Sequence, residues 1–547
     1  MNGAVVTDRD AVRAQPARSD AAERRRQTGR LVVLLGLVVG LVALTTRLYE
    51  LRDVPRLTDE TDEVMLGLAI ARGQTLPLTN VDAYIGPLWN YLLAVRFVLV
   101  GPSSFVPRSL TTVAGLLTVV ATGWLGWELA LRLGWPKRAA VIGLGGALLL
   151  ATSSFHAVVS SRLGWSHSLT PLALTLALAC LIRWERTRDA WLLAGLGLGY
   201  GLAVQTHPTA LAFGPGLLVW ALVHWRHAIL SRAGWLALGL FLLANLPMLA
   251  FNIATGFGSL QAAVRVQSAY AGGVATGPAP YGTNLVALLG SLPLLLSGDI
   301  GERRGAILVV DDPLHLVYAG LALIGLLVAA RVRCWSPALI VLSAVVVLPA
   351  LTGKFEPLFN GRYVAPILPL GLVAVAVGVV ALVATVATVP PLRRVERPLT
   401  AGLLVSLTLL PLLALQGYVS ATLRDGPNNR ELYRALHIVA AVTPQLPVLM
   451  EASLSGTRVS TGREGTGVLD YLLQLDGRVA VRRYAANDLL RAAERGEGTV
   501  VIASKPTITR LEKDFVTELP PGEAEARQGR RAAFLIVHIV RPASVVP

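Results

Sequence analysis

The sequence predicts a mainly α-helical, polytopic membrane bundle with interfacial helices and a small α/β unit at its C-terminal end. Three observations lead there. Of 547 residues, 54% are hydrophobic and 15% charged, with a mean hydropathy of +0.59, too little polar surface to cover a water-soluble fold. The apolar residues fall in long runs separated by short charged clusters. After Ser420 the pattern stops: residues 425–547 carry 30 charged side chains and no run long enough to span a bilayer. A formal charge of +15 on a soluble chain would point to nucleic acid. Here the cations sit between apolar runs with no basic and aromatic stripe, so membrane lipids, and no nucleic acid, are the expected surroundings. Cys180 and Cys334 have no metal-like spacing and imply no disulfide framework.

Taken in order, residues 1–30 form a polar tail with seven arginines, and the run Leu31 to Thr46 reads as a retained first span. Further stretches of spanning length, roughly 20 residues each, fall near 106–131, 139–157, 168–184, 190–206, 208–224, 234–253, 313–331, 336–352, 363–388 and 399–420. That makes eleven spans, in a membrane unit over 31–424. Charge tests the count, because cytoplasmic connections are rich in Lys and Arg. The predicted inside loops hold Arg132, Lys137, Arg138, Arg183, Arg186, Arg188, Arg226, Arg232, Arg331, Arg333, Arg393, Arg394 and Arg397. The predicted outside segments hold Asp59, Glu60, Asp62, Glu63, Asp82, Asp299, Glu302, Asp311, Asp312 and Glu356. The N-terminus is therefore expected in the cytoplasm and the C-terminal unit outside it. Ile85 to Gly101 and Leu285 to Ser297 do not fit as spans and are expected as helices at the outer interface.

In the C-terminal unit, β-rich runs at Pro447–Met450, Thr499–Ile502 and Phe534–Val537 alternate with helix-like runs near 429–442, 465–475 and 486–496, the pattern of a small α/β sandwich. Its run Gly462-Arg463-Glu464-Gly465-Thr466-Gly467 matches neither a phosphate loop nor a dinucleotide fingerprint.

The chemistry is expected in the first outer loop, 48–105. Asp59-Glu60-Thr61-Asp62-Glu63 places four carboxylates in five residues, followed by Met65, Leu68 and Ala69 at helical spacing. Asp62 and Glu63 lie three and four residues beyond Asp59 and share its face of a helix. Crowded carboxylates raise one another's pKa, which makes one a usable proton acceptor. The structural alternative is that Asp59 is the N-cap and the acids answer the helix dipole. Spacing alone favours the cap.

The order of features adds to this: a basic tail, a first span, an outer Asp59-Glu60 pair, Gly86-Pro87-Leu88-Trp89-Asn90-Tyr91 opening an interfacial helix, then Arg108 entering the next span. With Ser161-Arg162, Gln205-Thr206-His207-Pro208 and Gly361-Arg362-Tyr363-Val364-Ala365-Pro366, the chain over roughly residues 30–420 resembles the GT-C fold membrane glycosyltransferases. Within them it resembles glycosyltransferase family 39, the protein O-mannosyltransferase-like and lipid A aminoarabinose transferase-like enzymes.

The resemblance implies an inverting, metal-independent transfer from a polyprenyl-phosphate sugar to an acceptor hydroxyl, at the outer face of a bacterial plasma membrane. Asp59 is then the general base with Glu60 beside it; the acceptor, whether protein, glycan or lipid, stays open. A phosphate leaving group needs cations. The outside candidates are Arg108, Arg162, Arg265, Lys354 and Arg362, led by Arg362 and Arg162, whose neighbours match the family pattern; a cation at a membrane boundary is more often a snorkelling anchor. Asp62, His207 and Tyr363 complete the expected substrate contacts, although His207 before Pro208 also suits a capping role at a helix break. Trp89 and Tyr91 read as sugar platforms or as members of the interfacial aromatic belt. The motif requires no cofactor; a divalent cation between Asp59 and Asp62 would suit hard-cation chemistry but has no dedicated ligand pattern.

The chain departs from the family at Ile85-Gly86-Pro87-Leu88, where relatives carry a His or Lys before a Pro-Pro-Leu-type run, so the donor sugar stays open. The second pair, Asp62-Glu63, leaves Asp59 and Asp62 as competing bases. Two other classes compete with an enzyme: a transporter or lipid flippase, which requires ionisable residues buried mid-span, and a non-catalytic scaffold serving the C-terminal unit.

Overall fold

The computed structural model describes residues 9–58, 60–270, 278–300, 313–355, 358, 360–424, 429–442, 447–454, 468–477, 480–520 and 534–542. Asp59, Glu302, Asp311, Asp312, Glu356 and the glycine run 462–467 lie outside them.

A bilayer offers the backbone no water, so apolar runs satisfy their amides within their own segment as helices. The first eight are α1 (Arg9–Leu48), α2 (Glu60–Ala71), α3 (Leu88–Val100), α4 (Phe105–Arg132), α5 (Ala139–Thr152), α6 (Ser154–Val159), α7 (Thr170–Thr187) and α8 (Ala190–Thr206). Among the described residues, six stretches are long and apolar enough to cross a membrane: Gly29–Leu48, Phe105–Arg132, Ser166–Thr187, Leu314–Arg331, Ala365–Val386 and Arg393–Arg424. Shorter apolar helices include Ala190–Thr206, Pro208–His224 and Ser336–Leu351. The protein is a multi-pass membrane protein.

Two expected stretches take a different form. The run 234–253 is broken into Arg232–Ala244 and Leu246–Thr255, bent by 64°. Pro247 lacks the N–H and clashes with the preceding turn, and Asn245 Nδ2 bonds back to Phe241 O at 2.9 Å. The stretch Leu285 to Ser297, expected as a short interfacial helix, belongs to a longer helix, Pro278–Ser297 of 20 residues, which lines one apolar cavity with Leu314–Arg331, Ser336–Leu351 and Leu368–Val386. Burying that apolar face among other helices is what holds it in the bundle.

Helices approach closely where glycine allows it. A Cβ on Gly143 of α5 would lie 2.7 Å from Gly123 O of α4, and one on Gly67 of α2 would lie 2.9 Å from Leu93 Cβ of α3. The far side of α3 leaves Val95, Val98 and Leu99 exposed, an apolar stripe suited to lipid.

Helix α4 spans 28 residues, about 42 Å at 1.5 Å per residue, and so joins the two ends of the bundle. Arg108 sits near its start. At its far end Glu128 pairs with Arg186 at 2.8 Å and Arg183 at 3.3 Å, while Arg132 pairs with Glu185 at 3.1 Å. Several cations of the expected inside loops thus gather at the end opposite the acidic turn.

The C-terminal unit is a five-stranded sheet, order β2-β1-β3-β5-β4, built from β1 (Val448–Glu451), β2 (Val481–Tyr484), β3 (Val500–Ala503), β4 (Phe515–Glu518) and β5 (Leu535–Pro542). Strands β2, β1 and β3 are parallel, and β5 is antiparallel to β3 and β4. Its helix Arg430–Val442 shares one core with the membrane unit, since Leu432, Tyr471 and Leu472 cluster with Leu57, Val64 and Leu68.

Candidate active site

Helix α2 opens on Glu60, Asp62 and Glu63, three acids in the first turn, where unpaired amides carry the positive end of the helix dipole. Burial then separates their roles. Glu60 is fully buried: Oε1 accepts from Arg108 Nη2 at 2.8 Å, and Oε2 accepts from the Gly164 N–H. Gly164 has no room for a side chain, because a Cβ would lie 2.6 Å from Pro107 Cβ and 2.8 Å from Glu60 Oε2. Arg108 also donates to Leu51 O at 2.8 Å and Pro55 O at 2.9 Å, so its guanidinium knits the loop before α2 to the start of α4.

Glu63 is half-buried one turn along. Its carboxylate accepts from Ser166 N at 2.7 Å and Ser166 Oγ at 3.1 Å, and its backbone carbonyl accepts from Asn90 Nδ2 at 2.7 Å. Burial pushes its pKa up to about 7, against the lowering effect of hydrogen bonds from Ser166 and Asn80, with the Asp82 charge adding to the rise. Carboxylate crowding does contribute, but burial is the main cause and Asp82 is the partner. Asp62 is half-buried on the same turn.

Ser166 leads into a cluster of rings. His167 and His207 lie with centroids 3.5 Å apart, and each is 5.8 Å from the Tyr363 ring. Tyr84 meets His207 edge-on at 6.4 Å, and Trp165 meets His167 at 5.8 Å. The Arg362 guanidinium lies 4.6 Å over Trp165 and 5.2 Å from the Tyr363 centroid. Burial, with the Arg362 cation, holds His207 well below the ordinary histidine pKa, so it is neutral. Its Nδ1 accepts from Thr209 N at 3.2 Å, which is the capping role expected at this helix break.

Two sequence motifs meet directly. Gly86 N donates to Gln205 O at 2.9 Å and Leu88 N to Gln205 Oε1 at 3.0 Å, which fastens the Gly86-Pro87-Leu88 run to the turn carrying His207. A Cβ on Gly86 would lie 2.7 Å from Gln205 O, so the contact requires glycine.

Of the sequence candidates, Glu60, Asp62, His207, Arg362 and Tyr363 lie on the elements just described, while Asp59, directly before α2, is outside the described residues. Arg108 and Arg162 are both buried and bonded to the protein's own backbone: Arg162 donates to Val54 O at 3.3 Å and Thr46 O at 2.5 Å. Burial, with Arg108 nearby, pulls the Arg162 guanidinium down to about 10. Lys354 is half-buried on the segment leading to Arg362, and Arg265 is exposed on Gly258–Tyr270. Trp89 is fully buried with Nε1 donating to Gly164 O at 3.2 Å, so its ring is a core element rather than a sugar platform. Tyr91 Oη donates to Pro77 O at 3.0 Å, and His156 receives Arg47 Nη2 at 2.7 Å.

Tyr84, Trp165, Ser166 and His167 are not among the sequence candidates above. The only local signal was Trp165-Ser166-His167 following Ser161-Arg162. Among the described residues, no three His, Cys, Asp or Glu side chains form a metal-holding group.

No family model matches the chain, and no curated protein matches it in sequence. Among solved structures, ArnT from Cupriavidus metallidurans bound to undecaprenyl phosphate covers 93% of this chain and 97% of its own, with a TM-score of 0.59 at 14% identity. The same protein in its apo state covers 94% and 98%, with a TM-score of 0.56 at 15% identity. An Archaeoglobus fulgidus oligosaccharyltransferase covers 86% of this chain and 68% of its own, with a TM-score of 0.48 at 13% identity. Likeness at such identity carries the fold alone, and the fold is the one its motif order resembles: the chain is a membrane protein of the GT-C architecture.

Proposed function

We propose that this protein is an inverting glycosyltransferase that moves a sugar from a polyprenyl phosphate to an acceptor hydroxyl, with the acidic end of the bundle at the outer face of a bacterial plasma membrane. The observation that carries the reading is a continuous run of neighbours: Glu63 of the acidic turn bonds Ser166, the flanking Trp165 and His167 belong to the ring and Arg362 cluster, and Val364 and Ile367, just past Arg362, line an apolar cavity. That cavity, about 180 Å³, is lined by Phe155, Leu295, Val364, Ile367 and Leu368, two of them within five residues of Arg362. An isoprenoid chain lying among apolar helices, with its phosphate near Arg362, matches this order. ArnT, of similar fold, is known bound to undecaprenyl phosphate.

In the proposed reaction Asp59 accepts the proton of the acceptor hydroxyl as that oxygen attacks the anomeric carbon. The bond from carbon to the phosphate oxygen breaks on the opposite face, so the configuration inverts and polyprenyl phosphate leaves. Arg362 and Lys354 stabilise the charge developing on the phosphate. Glu60 and Arg108 act by position: their ion pair, with the Arg108 bonds to Leu51 O and Pro55 O, ties the start of α2 to the loop before it. His207, neutral, offers a ring face and a nitrogen to the sugar without adding charge.

The test is turnover of labelled polyprenyl-phosphate sugars by purified protein in the presence of cell-envelope acceptors. Wild type is expected to release polyprenyl phosphate from one donor, and Asp59→Asn to release none while accumulating normally. Full activity in Asp59→Asn with a dead Asp62→Asn moves the base to Asp62, and activity in both variants rejects the carboxylate mechanism.

A further inference from the structure

The six residues leading into the acidic turn, 52–57, form no helix or strand, yet Arg52, Asp53, Val54, Pro55 and Leu57 all have backbone groups hydrogen-bonded to other parts of the chain. Three of these bonds come from one side chain of the C-terminal unit. Asn429 is fully buried at the start of helix Arg430–Val442. Its Oδ1 accepts from Leu57 N at 2.8 Å. Its Nδ2 donates to Arg52 O at 2.8 Å and Pro55 O at 3.0 Å, and its own N–H donates to Asp53 O at 3.1 Å. All four bonds go to this stretch, and the amide has one orientation only, because the reverse would set its oxygen against two carbonyls.

Pro55 O is shared: Arg108 Nη2 of the membrane unit reaches it at 2.9 Å and Asn429 of the C-terminal unit at 3.0 Å. Around this point Arg430 Nε pairs with Asp53 at 2.9 Å, the Arg52 guanidinium stacks 3.9 Å over Tyr433, and Ser104 N donates to Asp476 at 2.8 Å. A loop has no ladder of its own to fix it, so what surrounds it decides its geometry.

We infer that Asn429 is a positioning residue for the acidic turn, and that the C-terminal unit works as a clamp that holds residues 52–57, and through Leu57 the carboxylates that follow, against the membrane unit. Its catalytic consequence rests on the transferase reading above; its structural content does not. A displacement of about 1 Å at a catalytic group costs on the order of a hundredfold in rate. Losing Asn429 therefore lowers kcat by about one to two orders of magnitude and leaves the donor KM nearly unchanged, since the ring and Arg362 cluster is untouched.

The test is amide hydrogen exchange on the full-length protein, wild type against Asn429→Ala, read together with turnover of polyprenyl-phosphate sugars. In wild type, peptides covering 52–58 should exchange as slowly as helix 430–442 although they form a loop. Fast exchange there overturns the clamp, and this holds even where the variant does not fold. In Asn429→Ala the same peptides should exchange faster with α4 still protected, and kcat should fall with KM retained. Unchanged exchange and unchanged kcat overturn the proposal, and a rise in KM alone overturns the positioning role. Faster loop exchange in the variant alongside a wild type that turns over no donor supports the clamp and rejects the transferase reading, so the two fail separately.

Discussion

Glu60 and Arg108 form an ion pair at 2.8 Å with side chains only 0% and 3% exposed, and the same guanidinium holds two carbonyls of the preceding loop. A charge left alone in such a place keeps its desolvation penalty and loses its attraction. Glu60→Ala is therefore expected to destabilise the protein by about 3 to 5 kcal/mol, with Glu60→Gln milder because the amide still accepts from Arg108 and Gly164. Thermal unfolding in a fixed detergent reads this, and a Glu60→Ala protein as stable as wild type would contradict it.

Glu63 gives a pH dependence of defined sign. Its folded pKa is raised to about 7 from an ordinary 4.5. The folded state then binds the extra proton, and the stability linked to Glu63 is fully present below pH 4.5 and lost as pH rises through about 7. Glu63→Gln removes the titration, so the stability difference between wild type and variant should shift in favour of the variant over that window, by about 2 kcal/mol or less. Parallel unfolding curves for the two proteins from pH 5 to pH 8 would show that Glu63 is not the titrating group.

Gly164 is fixed by space. Gly164→Ala pushes a methyl into Pro107 and into the carboxylate oxygen of Glu60. Overpacking of this kind costs about 1 to 3 kcal/mol, and here it also presses on the pair that anchors α2. Both the midpoint of thermal unfolding and transfer activity should fall, whereas Gly101→Ala, strained at φ +82 but with open space around it, should affect stability more than activity.

Arg362 offers a planar cation stacked on Trp165 and Tyr363. Removing one preorganised charge stabiliser typically costs a factor of about 100 to 1,000 in kcat, and Arg362→Ala is expected in that range. Arg362→Lys keeps the charge but not the planar stack, so recovery should be partial. Titration with a short-chain polyprenyl phosphate should show weaker binding in both variants; unaltered binding and rate would remove Arg362 from the site.

The three strands legible in the sequence, β1, β3 and β5, are the central ones, apolar because both faces are covered. The two missed, β2 and β4, are the sheet edges; in Val481-Arg482-Arg483-Tyr484 both central residues are exposed and charged where a strand pattern would carry apolar residues. The same contrast runs through the site. The acidic turn, the glycine-proline run and the Gly361-Arg362-Tyr363 turn stood out because their composition is unusual within a few residues. Ser166 as the partner of Glu63, the His167 and His207 stack, and Asn429 on the 52–57 loop did not, since each is an ordinary residue whose meaning lies in a partner up to 377 positions away.

Hydropathy, charge distribution and local spacing are properties of a short window, and by themselves they determined the membrane class, the helical bundle, the small C-terminal sheet and the segment that carries the carboxylates. Which carboxylate is buried against an arginine, which has its pKa raised by burial, and which part of the chain fastens the loop were decided only by tertiary packing. Desolvation and hydrogen-bond geometry exist only once distant helices have closed around those groups.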